Sequence, residues 1–321
     1  MLIGKDNDLV TKAKMALLSM QRNSWEQGTA MQAFLECGDM EIVILMAIEA
    51  VNRRLPDGRA AVMGGSSAVT DPCSVGEALI AAYRQTNNED LKRGYDELIE
   101  WALKKAPRTS TGVLYHLDNK NELWSDSPYM LPPFLAAAGY FDEALLNLYG
   151  YWDYLFDKNA KLMSHRWDDA AKSFVRKDNW GGGNGWTVAA IARVYDLLPG
   201  DRGADKKKLA EMGLTLIDGI LSYVRSDFLF HDVVDDDQTF VETCLSQMLA
   251  YAIYRGIQSK WLDKSYLDKA EKLHAAATKK VDEYGIVRDC CGAPSFNKPG
   301  ISPEAQAFFI LMNTARSKVV S

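Results

Sequence analysis

Residues 184–224 read NGWTVAAIARVYDLLPGDRGADKKKLAEMGLTLIDGILSYV. Up to Leu198 the run is rich in small and apolar residues and nearly free of charge, as expected of a helix packed on every side. After the PGDRG turn, a longer run carries charge on one side and apolar residues at i, i+3, i+4 and i+7 on the other. That pattern is a helix with one face in water. Together the two segments make a helical hairpin with a buried arm and a half-exposed arm.

The rest of the chain repeats the hairpin. EDLKRGYDELIEWALKK (89–105) and KSYLDKAEKLHAAATKKVDEYG (264–285) are long and amphipathic. SVGEALIAAY (74–83), SPYMLPPFLAAAG (127–139), FVETCLSQMLAYAIYRG (240–256) and SPEAQAFFILMNTA (302–315) are short, rich in small residues and nearly uncharged. The alternation returns about every fifty to sixty residues, a repeat signal despite little shared sequence. No convincing period-two strand is present. The expected helices are 7–21, 25–37, 39–55, 73–86, 89–106, 127–138, 140–157, 185–198, 203–225, 239–256, 264–283 and 302–316. Six pairs, polar helix outside and small-residue helix inside, describe an all-α (α/α)6 toroid occupying residues 1–321 as a single domain. An open solenoid is the alternative, but solenoids show a firmer sequence period.

Composition narrows the function. The chain of 321 residues has a net charge of −6 and lacks the basic stripe by which proteins displace counterions from nucleic acid. No run approaches the roughly 20 apolar residues that span a bilayer, and the start MLIGKDNDLVTKAK has no signal-peptide core. Five cysteines without a CxxC pair fit reduced thiols, and Cys290 and Cys291 are adjacent, too close for an ordinary disulfide. A cytoplasmic location is expected. No metal and no cofactor are expected, because the cysteines and four histidines show no zinc-ligand spacing. Oligomeric state is not encoded in any feature of the sequence.

In a toroid the inner helices run parallel and start at one end. The unusual residues fall at those starts: Trp25-Glu26, Asp71, Asp126, Asn184 with Trp186, Glu242 and Glu304. Each acid taken singly is equally a helix cap or a first-turn charge; their convergence is what points to a site. Gathered helix N-termini favour an anionic ligand, and Trp25, Trp124, Trp167, Trp180 and Trp186 offer faces for stacking on sugar rings. The expected partner is a small acidic oligosaccharide. The pair Asp71 and Asp126 suggests acid–base chemistry. WGGGNGW (180–186) sets two large aromatics around a pliable glycine-rich turn, which is either a sugar platform or packing.

The motifs GVLYH (112–116), LWSDSPYMLPPFLAAAG (123–139), LMSHRWDD (162–169), WGGGNGW, FVETCLSQMLAYAIYRG and SPEAQAFFIL (302–311) carry a family resemblance. From about Trp25 to Phe309 the chain resembles the unsaturated rhamnogalacturonyl hydrolases of glycoside hydrolase family 105, related to the unsaturated glucuronyl hydrolases of family 88. The resemblance implies the (α/α)6 fold. It also implies hydration of the C4=C5 bond of an unsaturated uronate at a non-reducing end. By that analogy Asp126 is the general acid/base and Asp71 the second active-site aspartate. His165 and His116 lie near the substrate, and Trp180 and Trp186 are the aromatic pair of the glycine-rich motif, which the resemblance makes a site loop whose glycines admit a sugar close to the backbone. Asn184, Trp25 and Arg166 complete the expected binding set. The family motif commonly has arginine where this chain has Gly182, and a basic residue where it has Leu117. Arg166, Arg176 or Lys177 are the candidates for replacing that charge. Histidine 231, in FLFHDVVDDD (228–237), is read as structural or rim-lining, and the aspartates beside it as a solvated turn.

Two other functions fit the same scaffold. One is a sugar epimerase or isomerase working through a histidine pair across the cavity. The other is a sugar-binding protein without turnover.

Overall fold

The computed structural model describes residues 8–62 and 66–320. Its helices form two concentric rings. The outer ring is α1 (Leu9–Leu18), α3 (Met40–Asn52), α5 (Glu89–Glu100), α8 (Phe141–Leu155), α10 (Gly203–Leu221) and α12 (Leu267–Thr278). The inner ring is α2 (Ser24–Glu36), α4 (Gly76–Thr86), the rod of α6 (Ser127–Met130) and α7 (Pro132–Ala137), α9 (Gly181–Leu197), α11 (Cys244–Gln258) and α13 (Pro303–Ser317). Each inner element packs on the next, and α13 returns to α2, so the ring closes into the (α/α)6 toroid.

The opening stretch divides as its composition predicts. Every residue of α9 from Gly181 to Val194 is buried, whereas α10 buries only a stripe that includes Leu209, Met212, Leu216 and Ile220. Small residues set the inner spacing. A β-carbon on Gly28 would strike Ser74, one on Gly76 the Phe134 ring, and one on Gly185 Met248. Inner helices therefore touch at backbone distance, which a larger side chain would prevent.

Several expectations need correction. The start of the first helix at residue 7 lies outside the described residues; the helix runs Leu9–Leu18. The glycines at 181–185 are not a loop but the opening turns of α9, four residues ahead of the expected start. The sixth helix breaks at Leu131, because Pro132 and Pro133 supply no backbone N–H to continue it. The helix expected from 239 begins at Cys244, and residues 241–242 are extended instead. After α5 the chain adds a π-turn at Trp101–Lys105, and a 3-10 turn at Lys264–Tyr266 precedes α12.

Strands are present after all, seven of two to four residues among the described residues, too short to leave an alternating pattern. β1 (Glu122–Trp124), β4 (Arg166–Asp168) and β5 (Ser173–Arg176) form an antiparallel sheet in the order β1-β4-β5, with Trp124 opposite Arg166. β2 (Phe156–Asp157) pairs with β3 (Leu162–Met163), and β6 (Phe230–His231) with β7 (Val241–Glu242). No described helix is long and apolar enough to cross a membrane.

The barrel axis is filled in layers. The Trp186 ring meets Tyr129 at 4.7 Å and Phe308 at 5.3 Å, and beyond Tyr129 lies the Arg193 guanidinium at 5.6 Å. Arg193, 2% exposed, is paired with Glu36 of α2 and Glu77 of α4. Arg255 of α11 reaches the same Glu36 at 2.8 Å and Asp196 of α9 at 2.5 Å. Burial would push the Glu36 carboxyl up, but Arg255 and Arg193 hold it below its ordinary value.

Arg193→Met leaves Glu77 with only the Gln32 amide at 2.9 Å. Removing one partner of a buried pair costs about 3–5 kcal/mol, and urea unfolding at neutral pH is expected to show a loss near the lower figure. Because the Glu36 carboxyl is depressed, the wild-type advantage should shrink as pH falls through its folded value. Gly183→Ala would drive its methyl into Ser125, beside Asp126; we expect about 1–3 kcal/mol of destabilisation in the same measurement.

Candidate active site

Two aspartates reach the open end of the barrel from different inner elements. Asp71 begins a 3-10 turn, Asp71–Val75, that runs into α4. Asp126 occupies the N-cap position of α6, but its backbone is helical and its side chain makes no capping bond. Capping, the alternative for this residue, is therefore not what its carboxyl does. Its Oδ1 is buried and has no hydrogen-bond partner.

His116 stands between the two acids. Its Nδ1 lies 3.5 Å from Asp126 Oδ1 and its Nε2 3.9 Å from Asp71 Oδ1. The backbone fixes it: its N–H donates to the Glu122 carbonyl at 2.8 Å, and its own carbonyl accepts from Val69 at 2.9 Å. Ser127 Oγ and Thr70 Oγ1 approach Nδ1 at 3.0 and 3.2 Å. Burial raises the Asp71 carboxyl above its usual range; His116 opposes that, and Asp126 adds to it.

Aromatic rings carry the wall from there. Trp124 stacks on His116, centroids 4.1 Å apart and planes within 12°. The Arg166 guanidinium lies over Trp124 at 4.4 Å, and both residues donate to Glu122 Oε2, Trp124 Nε1 at 2.7 Å and Arg166 at 2.6 Å. His165 follows, edge-on to Trp124 at 5.8 Å and tilted against Trp180 at 4.6 Å. Burial, then Arg176, Arg166 and His116, depress the His165 imidazole to about 3, so it is neutral at ordinary pH. Trp180 Nε1 donates to Asp232 at 3.2 Å.

These groups enclose a cavity of about 300 Å³. Of the expected residues, Asp71, Asp126, His116, Trp25, Trp180 and Trp186 line it. Asn184, His165 and Arg166 do not. Asn184 is fully buried; its amide accepts from the Met163 N–H at 2.7 Å and donates to the Met163 and Trp180 carbonyls. It fastens α9 to β3, and both of its N–H donors are taken. Arg166 is held by Glu122 behind Trp124, and His165 supports the two tryptophans from behind. Trp167 packs on Phe174 and Tyr154 away from the cavity.

Glu242 and Glu304, marked by position alone, also line the cavity, as do Cys244, Met248, Cys291 and Phe296. Glu242 sits ahead of α11 and accepts the N–H groups of Cys244 and Leu245, both at 2.6 Å. Burial above all raises its carboxyl to about 8. No motif announces Cys291 or Phe296, which come from the loop before α13. All five cysteines are unpaired. Among the described lining residues there is no lysine or arginine. Arg176 pairs with Asp178 at 2.8 Å and faces a separate outer basin beyond Phe296, and Lys177 lies over Phe174. His231 bonds the Thr239 carbonyl at 2.7 Å and Arg225 at 2.9 Å, a structural placement.

Comparison with known proteins places this geometry in a family. The unsaturated rhamnogalacturonyl hydrolase YesR of Bacillus subtilis (strain 168) is 27% identical over 235 residues, which cover 67% of this chain and 64% of YesR. An unsaturated 3S-rhamnoglycuronyl hydrolase of Alteromonas sp. (strain LOR) is 27% identical over 60% of this chain and 52% of its own length. The chain thus spans less than two thirds of either curated relative. A family 105 glycoside hydrolase of C. acetobutylicum ATCC 824 shares the fold, with a TM-score of 0.83, 17% identity and coverage of 98% of this chain and 99% of that one. The family model described as Glycosyl Hydrolase Family 88 matches residues 6–312, and the chain belongs to that family.

Proposed function

We propose that the protein hydrolyses unsaturated uronyl oligosaccharides, with Asp126 as general acid/base. One observation carries the reading: two carboxyls from separate inner elements meet on the single imidazole of His116, in a tryptophan-walled cavity. The names of the relatives supply the substrate class.

In the proposed reaction the protonated Asp126 gives its proton to C4 of the C4=C5 bond. A water molecule adds its oxygen to C5 and returns a proton to the Asp126 carboxylate, so the acid is regenerated. The C5 hemiketal then opens to a ketone, its ring oxygen becoming a hydroxyl on C1, and C1 expels the remaining saccharide as an alcohol. His116, held by stacking on Trp124, orients the two carboxyls; Asp71 stays close enough to keep them electrostatically linked. Enol ether hydration involves no displacement at the anomeric carbon, so carboxyl separation sets no retaining or inverting outcome.

The epimerase alternative needs two histidines facing each other across the cavity. Here His165 lies on the same wall as His116, with Trp124 in contact with both, and it does not line the space. The geometry favours the carboxyl pair.

Loss of the ultraviolet absorbance of the conjugated double bond tests the reading, using unsaturated galacturonyl-rhamnose and unsaturated glucuronyl disaccharides. Asp126→Asn should lower kcat by about 10²–10⁴-fold while leaving the fold intact. Absence of decay on every such substrate, with wild-type protein folded, would overturn the proposal in favour of a binding protein. Asp71→Asn removes one of the two carboxyls that meet on His116; its kcat is expected to fall by about 10²-fold, with a displaced pH profile.

A further inference from the structure

Asp71, Asp126, Glu242 and Glu304 bring four carboxyl groups to the cavity, and no described lining residue is a lysine or arginine. A uronate adds one more negative charge, in surroundings that screen it weakly. Its carboxylate therefore needs hydrogen-bond donors from the wall. Three indole N–H groups are already engaged: Trp25 with Glu304 Oε1 at 2.5 Å, Trp124 with Glu122, and Trp180 with Asp232.

The glutamates differ in what they can still offer. Both oxygens of Glu242 accept backbone N–H groups. Glu304 has one oxygen engaged, and its Oε2 is buried without a partner. Such an orphan costs about 1–3 kcal/mol unless something fills its bonding capacity.

We infer that Glu304 carries a proton on Oε2 and donates it in a hydrogen bond to the uronate carboxylate, the part that a basic side chain takes in other anion sites. The inference rests on the hydrolase reading for its substrate. A hydrogen bond to an ionised acceptor is about twice as strong as one between neutral groups. A neutral acid also adds no charge of its own to an already acidic space.

The surroundings favour the protonated form. Burial above all, then the nearby Glu26 of α2, raises the Glu304 carboxyl to about 7, against the bond from Trp25. From α11 and the loop before α13, Cys244 and Cys290 face it as neutral thiols, both pushed up by burial. On α1, Lys12 is bonded to the Glu283 carbonyl and Lys14 to Asp39. On α12, Glu271 and His274 bond Arg316 and Asn313, which lie about 14 Å or more along α13 from Glu304 at 1.5 Å per residue.

The sign of the pH effect follows. Below its raised value Glu304 is a donor; above it, an added negative charge repels the uronate. KM for an unsaturated uronyl disaccharide should rise about tenfold between about pH 6 and about pH 8.5, given that one titrating group changes affinity at most tenfold per pH unit. Glu304→Gln keeps an N–H donor and cannot ionise, so its KM should be flat across that range. The methyl ester of the same substrate, having no carboxylate, should give a flat KM in both proteins. A flat wild-type KM with the acid substrate, or the same slope in Glu304→Gln, overturns the inference while the double-bond assay still upholds the hydrolase. If nothing is turned over, tryptophan fluorescence titration with saturated digalacturonate at the two pH values decides the matter. Affinity independent of pH would then sink the role of Glu304 as well.

Discussion

Closing six inner helices into a ring leaves an axis that must be filled, and Arg193 fills it. A single guanidinium on α9 is paired with carboxyls from α2 and α4, and Arg255 ties α11 to the same Glu36. Four of the six inner elements thus converge on one charge cluster. A buried charge is tolerated only when paired, so the cluster admits one arrangement of these helices and penalises any rotation that separates a partner. The aromatic layers above it, Tyr129, Phe308 and Trp186, rest on that base. The floor of the cavity is in effect the upper surface of the plug.

The open end follows the opposite rule. There the barrel presents helix beginnings and acids, with the described lysine and arginine side chains held outside the cavity. The two ends divide the electrostatics: at the plug each carboxylate meets a guanidinium, and Glu36 is held below its ordinary value, while at the site burial acts with few opposing cations and raises Asp71, Glu242 and Glu304. Proton-bearing carboxyls near neutral pH are what acid catalysis and anion binding both need. The same side chain chemistry serves as mortar at one end and, in the proposed function, as reagent at the other, and neighbours alone decide which.

Much of this was legible in the chain itself. Inner and outer helices differ in composition because one is enclosed and the other half wet, so their alternation gives the toroid directly. Residues at the inner starts had to converge, which brought Asp71, Asp126, Trp25, Trp180 and Trp186 to one place. What sequence could not supply was the partner opposite each side chain. Asn184 looks like a ligand-binding amide until Met163 is seen across from it; Arg166 looks like a carboxylate clamp until Glu122 takes it. The glycines of 181–185 looked like a pliable loop, yet their role is close packing within a helix, Gly183 against Ser125 and Gly185 against Met248. Arg193 carries a signal that a sharper reading would use: it is the one charge inside an otherwise uncharged stretch from Thr187 to Tyr195.

The layered axis has a consequence for how a polymer meets this protein. A cleft open at both ends lets a strand lie across it, so that any interior unit can be presented. Here the space ends blindly on Trp186, with Tyr129 and Arg193 beneath it, and the inner helices are too tightly apposed to part. On the proposed reading a saccharide would enter only tip first, and the unit reaching the aspartates would be the last one of the chain. Terminal selectivity would then need no recognition of length or sequence further out, because it is built into the depth of the well.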